Sequence, residues 1–204
     1  MAKNKKCVII CCDLGGVLIL NSARNIADKF TKLHNLRNNA FTQVFNKIHK
    51  EIPSRTMILK ILKENKIDPK VWENFITNLW RTEKLNKSLL SQLYSLRDKY
   101  TTYLILTTNN TNDVEKVLHK YNISELFDKK FVSQSVGAIK SDRFFWKVVL
   151  RDLNDSGYIK GPGDVFVIDD DPSICDITST MGFITLCYTR GVDILEPIES
   201  KIKD

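Results

Sequence analysis

Between residues 88 and 188 the chain alternates segments of helical periodicity with short apolar runs rich in Val, Ile and Phe. Apolar runs of this kind are typical of strands that are buried on both faces. Strands separated by single helices form βαβ units, which assemble into a parallel, doubly wound sheet. The pattern predicts strands at 103–107, 130–133, 165–168 and 183–188, and helices at 88–99, 112–121, 142–153 and 172–181.

The first twenty residues add one more strand to this pattern. Cys7–Cys12 is an unbroken apolar run that ends at the sequence Asp-Leu-Gly-Gly, which indicates a central strand followed by a tight turn. From 22 to 85, apolar residues instead recur at helical spacing, and Pro53-Ser54 and Asp68-Pro69 are typical of helix starts. We therefore predict an α/β protein with a Rossmann-like parallel sheet core. Residues 1–20 and 86–204 would form the core, and residues 21–85 an inserted helical cap.

Composition limits the classes of function. The chain has 204 residues, of which 43% are hydrophobic and 27% charged, as expected of a globular protein with a full apolar core. The net charge of +7 indicates a basic surface, but acidic residues are interleaved and no nucleic-acid-binding motif is recognisable. A solvated surface is the favoured interpretation, and a basic nucleic-acid-binding module is the less favoured one.

The expected compartment is the cytoplasm. The five cysteines are odd in number and show no CxxC spacing, which favours free, buried thiols over disulfides or a zinc site. The apolar run near the N-terminus is too short for a signal peptide or a membrane span. We therefore expect no membrane association. Oligomeric state cannot be predicted from the sequence.

Three predicted strands end in polar residues that can support chemistry. Since ligands of open α/β sheets bind beyond the carboxyl ends of the strands, these residues should lie close together. A loop between two predicted helices contributes a lysine. The residues concerned are Asp13, Thr108, Asn109, Lys140, Asp169 and Asp170.

The three aspartates favour a magnesium site. Carboxylates that follow buried strands destabilise the fold unless they are paired or bind a cation, and Mg²⁺ prefers carboxylates together with water and phosphate oxygens. Asp13 is the candidate nucleophile, because the glycines after it allow a close approach. Thr108 would donate hydrogen bonds to a phosphoryl group, and Lys140 would supply positive charge.

Four segments, in this order, resemble the motifs of haloacid-dehalogenase-like (HAD) hydrolases. The closest branch is similar to small phosphatases that act on sugar phosphates, and the helical insertion resembles a C1-type cap. Each segment alone is weakly specific, but together they are specific. They are 13–18 (Asp-Leu-Gly-Gly-Val-Leu), 106–109 (Leu-Thr-Thr-Asn), 135–140 (Ser-Val-Gly-Ala-Ile-Lys) and 167–171 (Val-Ile-Asp-Asp-Asp) followed by Met181-Gly182.

The resemblance implies a role for each matching residue. Asp13 would be the nucleophile and a Mg²⁺ ligand, and Lys140 would pair with both the nucleophile and the phosphate. Thr108 and Asn109 would hold the phosphoryl group. The metal ligands implied are Asp13, the backbone carbonyl of Gly15, Asp169 and Asp170. The implied function is a Mg²⁺-dependent phosphatase that hydrolyses a small phosphorylated metabolite through an aspartyl-phosphate intermediate.

Gly15 departs from the commoner family pattern, in which a second aspartate acts as general acid and base. A glycine can offer its carbonyl to a metal, but it cannot transfer a proton. This departure leaves two alternatives open: a catalytically weak HAD-like protein with a binding or regulatory role, and a metal-independent 2-haloacid dehalogenase. The paired Asp169 and Asp170 disfavour the dehalogenase, because they would repel a carboxylate substrate.

Overall fold

The computed structural model describes residues 7–20, 23–37, 40–50, 55–109 and 114–203. Elements within these ranges are numbered in chain order. The strands are β1 (Cys7–Cys12), β2 (Ile19–Leu20), β3 (Lys84–Leu85), β4 (Thr101–Thr108), β5 (Lys129–Val132), β6 (Val165–Asp169) and β7 (Ile184–Cys187). The helices are α1 (Ala23–Leu33), α2 (Ala40–Lys50), α3 (Arg55–Glu64), α4 (Pro69–Thr82), α5 (Lys87–Lys99), α6 (Val114–Lys120), α7 (Ser133–Val136), α8 (Arg143–Asp155), α9 (Pro172–Thr180) and α10 (Leu195–Lys203).

The predicted parallel sheet is confirmed. Five strands lie in the order β5-β4-β1-β6-β7, and every pairing among them is parallel. The register aligns Cys12 of the central strand with Leu106 of β4 on one side and Ile168 of β6 on the other. The three strands whose polar ends were singled out are therefore adjacent, and they end at the same edge of the sheet.

Helices cover both faces of the sheet. Successive side chains of β1 belong alternately to the apolar clusters on the two faces. Val8, Ile10 and Cys12 belong to one apolar cluster, which includes residues of α5, α6 and α10. Ile9 and Cys11 belong to the opposite cluster, which includes residues of α8 and α9. Because both faces are covered, the strand is apolar throughout, which explains the unbroken run seen in the sequence.

The helices α1–α4 surround an apolar cluster of their own, separate from the two clusters of the sheet. Phe41, Trp72 and Phe75 lie at its centre, and the Phe41 and Trp72 rings stack with their centroids 6.0 Å apart. We call residues 23–82 the four-helix insert. The antiparallel ribbon β2–β3 joins it to the sheet and pairs Ile19 with Leu85 and Leu20 with Lys84.

Several sequence predictions need correction. The strand predicted to end at residue 133 ends at Val132, and Ser133 begins α7. The tail beyond Gly191 contains α10, which was not predicted. Cys7 and Cys187 are exposed, although all five thiols were expected to be buried.

Of the two predicted helix starts, one is confirmed and the other lies outside the described residues. Pro69 begins α4, where the Asp68 carboxylate accepts a hydrogen bond from the Lys70 N–H at 2.7 Å. The start predicted at Pro53-Ser54 lies outside the described residues, and so does the beginning of the helix predicted from residue 112. Within the described ranges, every helix falls short of the length and apolarity that a bilayer span requires.

Candidate active site

Asp13 lies directly beyond the carboxyl end of β1. Its backbone N–H donates to the Ile168 carbonyl at 2.9 Å, which extends the β1–β6 pairing by one residue. The chain then turns sharply, with hydrogen bonds from the Gly16 N–H to the Ile19 carbonyl and from the Ile19 N–H to the Leu14 carbonyl. This turn holds the Asp13 side chain at the sheet edge, where it is only 6% exposed.

Lys140 bridges two of the predicted site carboxylates. Its Nζ lies 2.6 Å from Asp13 Oδ1 and 2.7 Å from Asp169 Oδ2. The side chains of Lys140 and Asp169 are 2% and 0% exposed, so the ion pairs are shielded from water. A buried charge without a partner is strongly destabilising. Here the Lys140 ammonium pairs with both carboxylates, so none of the three charges is isolated.

Asp170 completes a cluster of three carboxylates with Asp13 and Asp169. One oxygen from each of these side chains lies within 4.8 Å of the others. Asp171, the next residue, caps α9: its carboxylate accepts a hydrogen bond from the Ser173 N–H at 2.9 Å. Pro172 occupies the first turn of that helix, as the sequence predicted.

The cluster has more carboxylates than positive charges to neutralise them. Burial, together with the charges of Asp169 and Asp170, raises the pKa of Asp13 to about 8, although the Lys140 ammonium acts in the opposite direction. Burial and the Asp169 charge raise the pKa of Asp170 to about 6. Three carboxylates thus face a single ammonium, and ionising all of them requires more positive charge.

The Lys140 ammonium is held firmly in its charged form. Burial alone would lower the pKa of Lys140, but the charges of Asp13 and Asp169 outweigh burial and hold that pKa above its ordinary value. The lysine therefore provides a fixed positive charge and offers no proton to a reacting group near neutral pH. The side-chain ligands of the cluster are all carboxylate oxygens, which suits a hard divalent ion such as Mg²⁺.

Thr108 and Asn109 lie on the neighbouring strand end. Thr108 is the last residue of β4, two positions beyond the Leu106 that pairs with Cys12, and it is buried. Asn109 follows it, and its Oδ1 accepts a hydrogen bond from the Lys140 backbone N–H at 2.8 Å. The sequence suggested a phosphate-binding role for Asn109. The structure shows that its carbonyl oxygen contacts the lysine loop.

The glycines after Asp13 differ in what the structure shows of them. Gly15, the predicted carbonyl ligand, makes an isolated bridge to Ile19 at the base of the turn. Gly16 has a φ of +89°, and a Cβ on it would lie 2.1 Å from Asp170 Oδ2. The sequence analysis predicted that the glycines after Asp13 allow a close approach, but it did not predict that Gly16 makes room for the Asp170 side chain.

We compared the chain with known proteins by sequence and by structure. By sequence, the chain matches no protein-family model and no curated protein. By structure, it is similar to a HAD family enzyme from Bacteroides thetaiotaomicron crystallised with magnesium and inorganic phosphate, with a TM-score of 0.66 and 22% identity over 95% of this chain and 99% of that one.

Two further solved structures are similar over most of their length. One, from Porphyromonas gingivalis, is described as a predicted HAD-like family hydrolase and gives a TM-score of 0.69 with 20% identity, covering 97% of this chain and 98% of that one. The other is an archaeal β-phosphoglucomutase from Pyrococcus sp. strain ST 04, with a TM-score of 0.60 and 18% identity over 93% of this chain and 90% of that one. Since identities this low establish the fold alone, we conclude that the chain has the fold of the HAD hydrolases.

Proposed function

We propose that this protein is a Mg²⁺-dependent phosphatase that hydrolyses a small phosphorylated metabolite. The observation that carries the proposal is the cluster of Asp13, Asp169 and Asp170 at the sheet edge, with the Lys140 ammonium between two of them. The fold is shared with HAD family enzymes, and the B. thetaiotaomicron enzyme of this fold was crystallised with magnesium and inorganic phosphate. We further propose that residues 21–85 form the cap of this enzyme.

The metal would be held by the side chains of Asp13, Asp169 and Asp170 together with the backbone carbonyl of Gly15. When bound, Mg²⁺ supplies the positive charge that the carboxylate cluster lacks, and it draws electron density from the phosphoryl oxygens. Bringing this charge to the cluster would also lower the raised pKa values of Asp13 and Asp170, so that both are ionised at neutral pH.

In the proposed reaction, a carboxylate oxygen of Asp13 attacks phosphorus and the bond from phosphorus to the ester oxygen breaks. Lys140 keeps Asp13 oriented and stabilises negative charge on the phosphoryl oxygens, and Thr108 donates its hydroxyl hydrogen to one of them. The departing alkoxide takes a proton from water. A second water molecule then hydrolyses the aspartyl phosphate, which releases inorganic phosphate and restores Asp13.

Gly15 favours a second candidate, a HAD-fold protein of weak catalytic power that acts by binding. Without a carboxyl group at this position, the chain lacks the general acid of the commoner family pattern, and such acids contribute about 10²–10⁴-fold to rate. A metal-independent 2-haloacid dehalogenase is less favoured, because the cluster of three carboxylates would repel an anionic haloacid.

The test is hydrolysis of an aryl phosphate and of a panel of phosphorylated metabolites, with Mg²⁺ and with a chelator. We expect Mg²⁺-dependent release of phosphate, and a loss of about 10³-fold or more in kcat for Asp13→Asn because the nucleophile is removed. Asp176→Asn is the matched control, since Asp176 is exposed on α9, next to the site in sequence. Turnover that persists in the chelator contradicts the proposal.

The same assay separates the two candidates. If the wild type is a competent phosphatase, Gly15→Asp changes its rate by no more than about the contribution of one general acid. A silent wild type that becomes active in Gly15→Asp favours the binding protein. Halide release from a 2-haloacid without metal would favour the dehalogenase.

A further inference from the structure

Lys140 must place its ammonium accurately, although it lies on a loop. The loop lies between α7 and α8. The ammonium at the end of the flexible four-carbon side chain reaches two carboxylates, at 2.6 and 2.7 Å. A lysine side chain has many rotamers, and an irregular loop adds backbone freedom. The direction of the ammonium therefore depends on what holds the backbone of this residue.

Two side chains hold the Lys140 backbone, one at each polar group. The Asn109 Oδ1 accepts from the Lys140 N–H at 2.8 Å, and the Trp146 indole Nε1–H donates to the Lys140 carbonyl at 2.7 Å. Both distances are those of well-formed hydrogen bonds. The two contacts come from different parts of the chain, the end of β4 and the first half of α8, so they fix the loop between two regular elements.

Trp146 is itself rigidly placed. It is fully buried, and its ring packs edge-on against Phe145 and Phe183, with both pairs of centroids 5.4 Å apart. The start of α8 is fixed as well, because the Asp142 carboxylate accepts from the Phe144 N–H at 2.8 Å. A buried indole N–H needs an acceptor, and here that acceptor is the carbonyl of the site lysine.

We propose that Trp146 is a positioning residue for the site: its indole N–H holds the Lys140 carbonyl so that the ammonium stays between Asp13 and Asp169. The inference rests on the proposed phosphatase function for its effect on rate. The hydrogen bond of Trp146 is to the Lys140 backbone, so its effect on the two carboxylates passes through that lysine. A tryptophan that merely filled the core would affect stability and leave the reaction unchanged.

The test compares Trp146→Phe with Leu153→Ala. Both variants remove buried side-chain atoms of α8 from the same apolar cluster, but only the first removes the donor to Lys140. We expect Trp146→Phe to lower kcat by about 10- to 100-fold with KM changed by less than about threefold, as for a small misplacement of a catalytic group. Leu153→Ala should lose at least as much stability and keep its kcat.

A second variant guards against a folding defect in Trp146→Phe. Placing β-(3-benzothienyl)alanine at position 146 keeps the fused rings and replaces the indole N–H with sulfur. Because the ring packing is kept and only the hydrogen bond is lost, we expect this variant to unfold at a higher temperature than Trp146→Phe and to show the same loss of kcat. Wild-type kcat in the sulfur variant, or an equal loss in Leu153→Ala, overturns the inference.

Hydrogen exchange tests the inference without relying on activity. The Lys140 amide, which donates to Asn109 Oδ1, should exchange at least about 10-fold faster in Trp146→Phe and in the sulfur variant, and at the wild-type rate in Leu153→Ala. Unchanged exchange in the first two variants overturns the inference whatever the kinetic result. If the wild type hydrolyses no phosphate ester, the proposed function fails, and faster exchange still supports the positioning of Lys140 by Trp146.

Discussion

The carboxylate cluster depends on Gly16, because its lack of a side chain leaves space for Asp170. Its φ of +89° lies in the region that favours glycine, and a Cβ there would come within 2.1 Å of Asp170 Oδ2 and 2.5 Å of Asp170 Cγ. Gly191 has the same φ of +89°, but its Cβ would meet nothing within 4 Å. A side chain would strain the backbone at either glycine, but only at Gly16 would its Cβ also collide with a carboxylate of the site.

We predict that Gly16→Ala displaces the Asp170 carboxylate and removes the binding of Mg²⁺. Thermal unfolding with and without Mg²⁺ is the measurement, because an ion that binds only the folded state raises the unfolding temperature. Gly191→Ala controls for strain, and a non-glycine residue in this region costs about 1–3 kcal/mol. Gly191→Ala should unfold at a lower temperature than the wild type, and Mg²⁺ should still raise that temperature. An unchanged Mg²⁺ response in Gly16→Ala would contradict the prediction.

At the scale of elements, Asn86 joins three parts of the fold. It lies between β3 and α5 and is 5% exposed. Its Nδ2 donates to the Val17 carbonyl at 2.9 Å and to the Tyr188 hydroxyl at 2.8 Å, and its Oδ1 accepts from the Leu89 N–H at 3.3 Å. One amide thus fixes the turn before β2, the start of α5 and the residue that follows β7.

We predict that Asn86→Asp lowers the free energy of unfolding by about 2–4 kcal/mol, because a buried carboxylate would face the Val17 carbonyl without a proton to donate to it. The acceptor for the Leu89 N–H is retained, so helix capping does not account for the loss. Denaturant unfolding is the measurement. Tyr188→Phe is the comparison, and its single lost hydrogen bond should cost only about 1 kcal/mol.

Much of the sheet and its edge could be predicted because the signals are local. Unbroken apolar runs predict buried strands, and parallel strands place their carboxyl ends at one edge, which brought Asp13 next to Asp169 in the prediction. The β2–β3 ribbon was missed because two-residue strands have no measurable periodicity. The role of Trp146 was missed for another reason: its hydrogen bond to Lys140 depends on how α8 packs, which no sequence spacing encodes.

At the scale of the whole molecule, the positive charge is concentrated in one segment. The four-helix insert, residues 23–82, contains twelve Lys and Arg and five Asp and Glu, which gives a formal charge of +7, equal to that of the entire chain. The remaining residues contain nineteen of each sign and are neutral overall. The four-helix insert therefore produces a long-range positive field, whereas the site itself has an excess of carboxylates.

For the proposed phosphatase, this distribution predicts that kcat/KM for a doubly charged phosphate ester falls several-fold as ionic strength rises from about 0.02 to 0.2 M, with kcat unchanged. The reason is that salt screens the attraction of the insert for the substrate before it binds. The measurement is steady-state kinetics in NaCl. Sucrose at matched viscosity is the control for slower diffusion.

A charge-reversed variant tests the origin of that effect. Lys60 and Lys63 are both exposed on α3, so Lys60→Glu with Lys63→Glu should leave the apolar cluster intact. The insert would drop from +7 to +3, and the dependence of kcat/KM on salt should weaken accordingly. An identical salt dependence in the variant would show that the insert does not attract the substrate.

The β2–β3 ribbon has a consequence for how such a chain can be shortened or recombined. Its strands are antiparallel, and its last pair, Leu20 and Lys84, brings together the two points where the chain leaves and re-enters the sheet domain. This is the geometry that a two-residue hairpin turn closes. The sixty-three residues between them can in principle be exchanged for a short turn or for a different module, and the strand order of the sheet would stay the same.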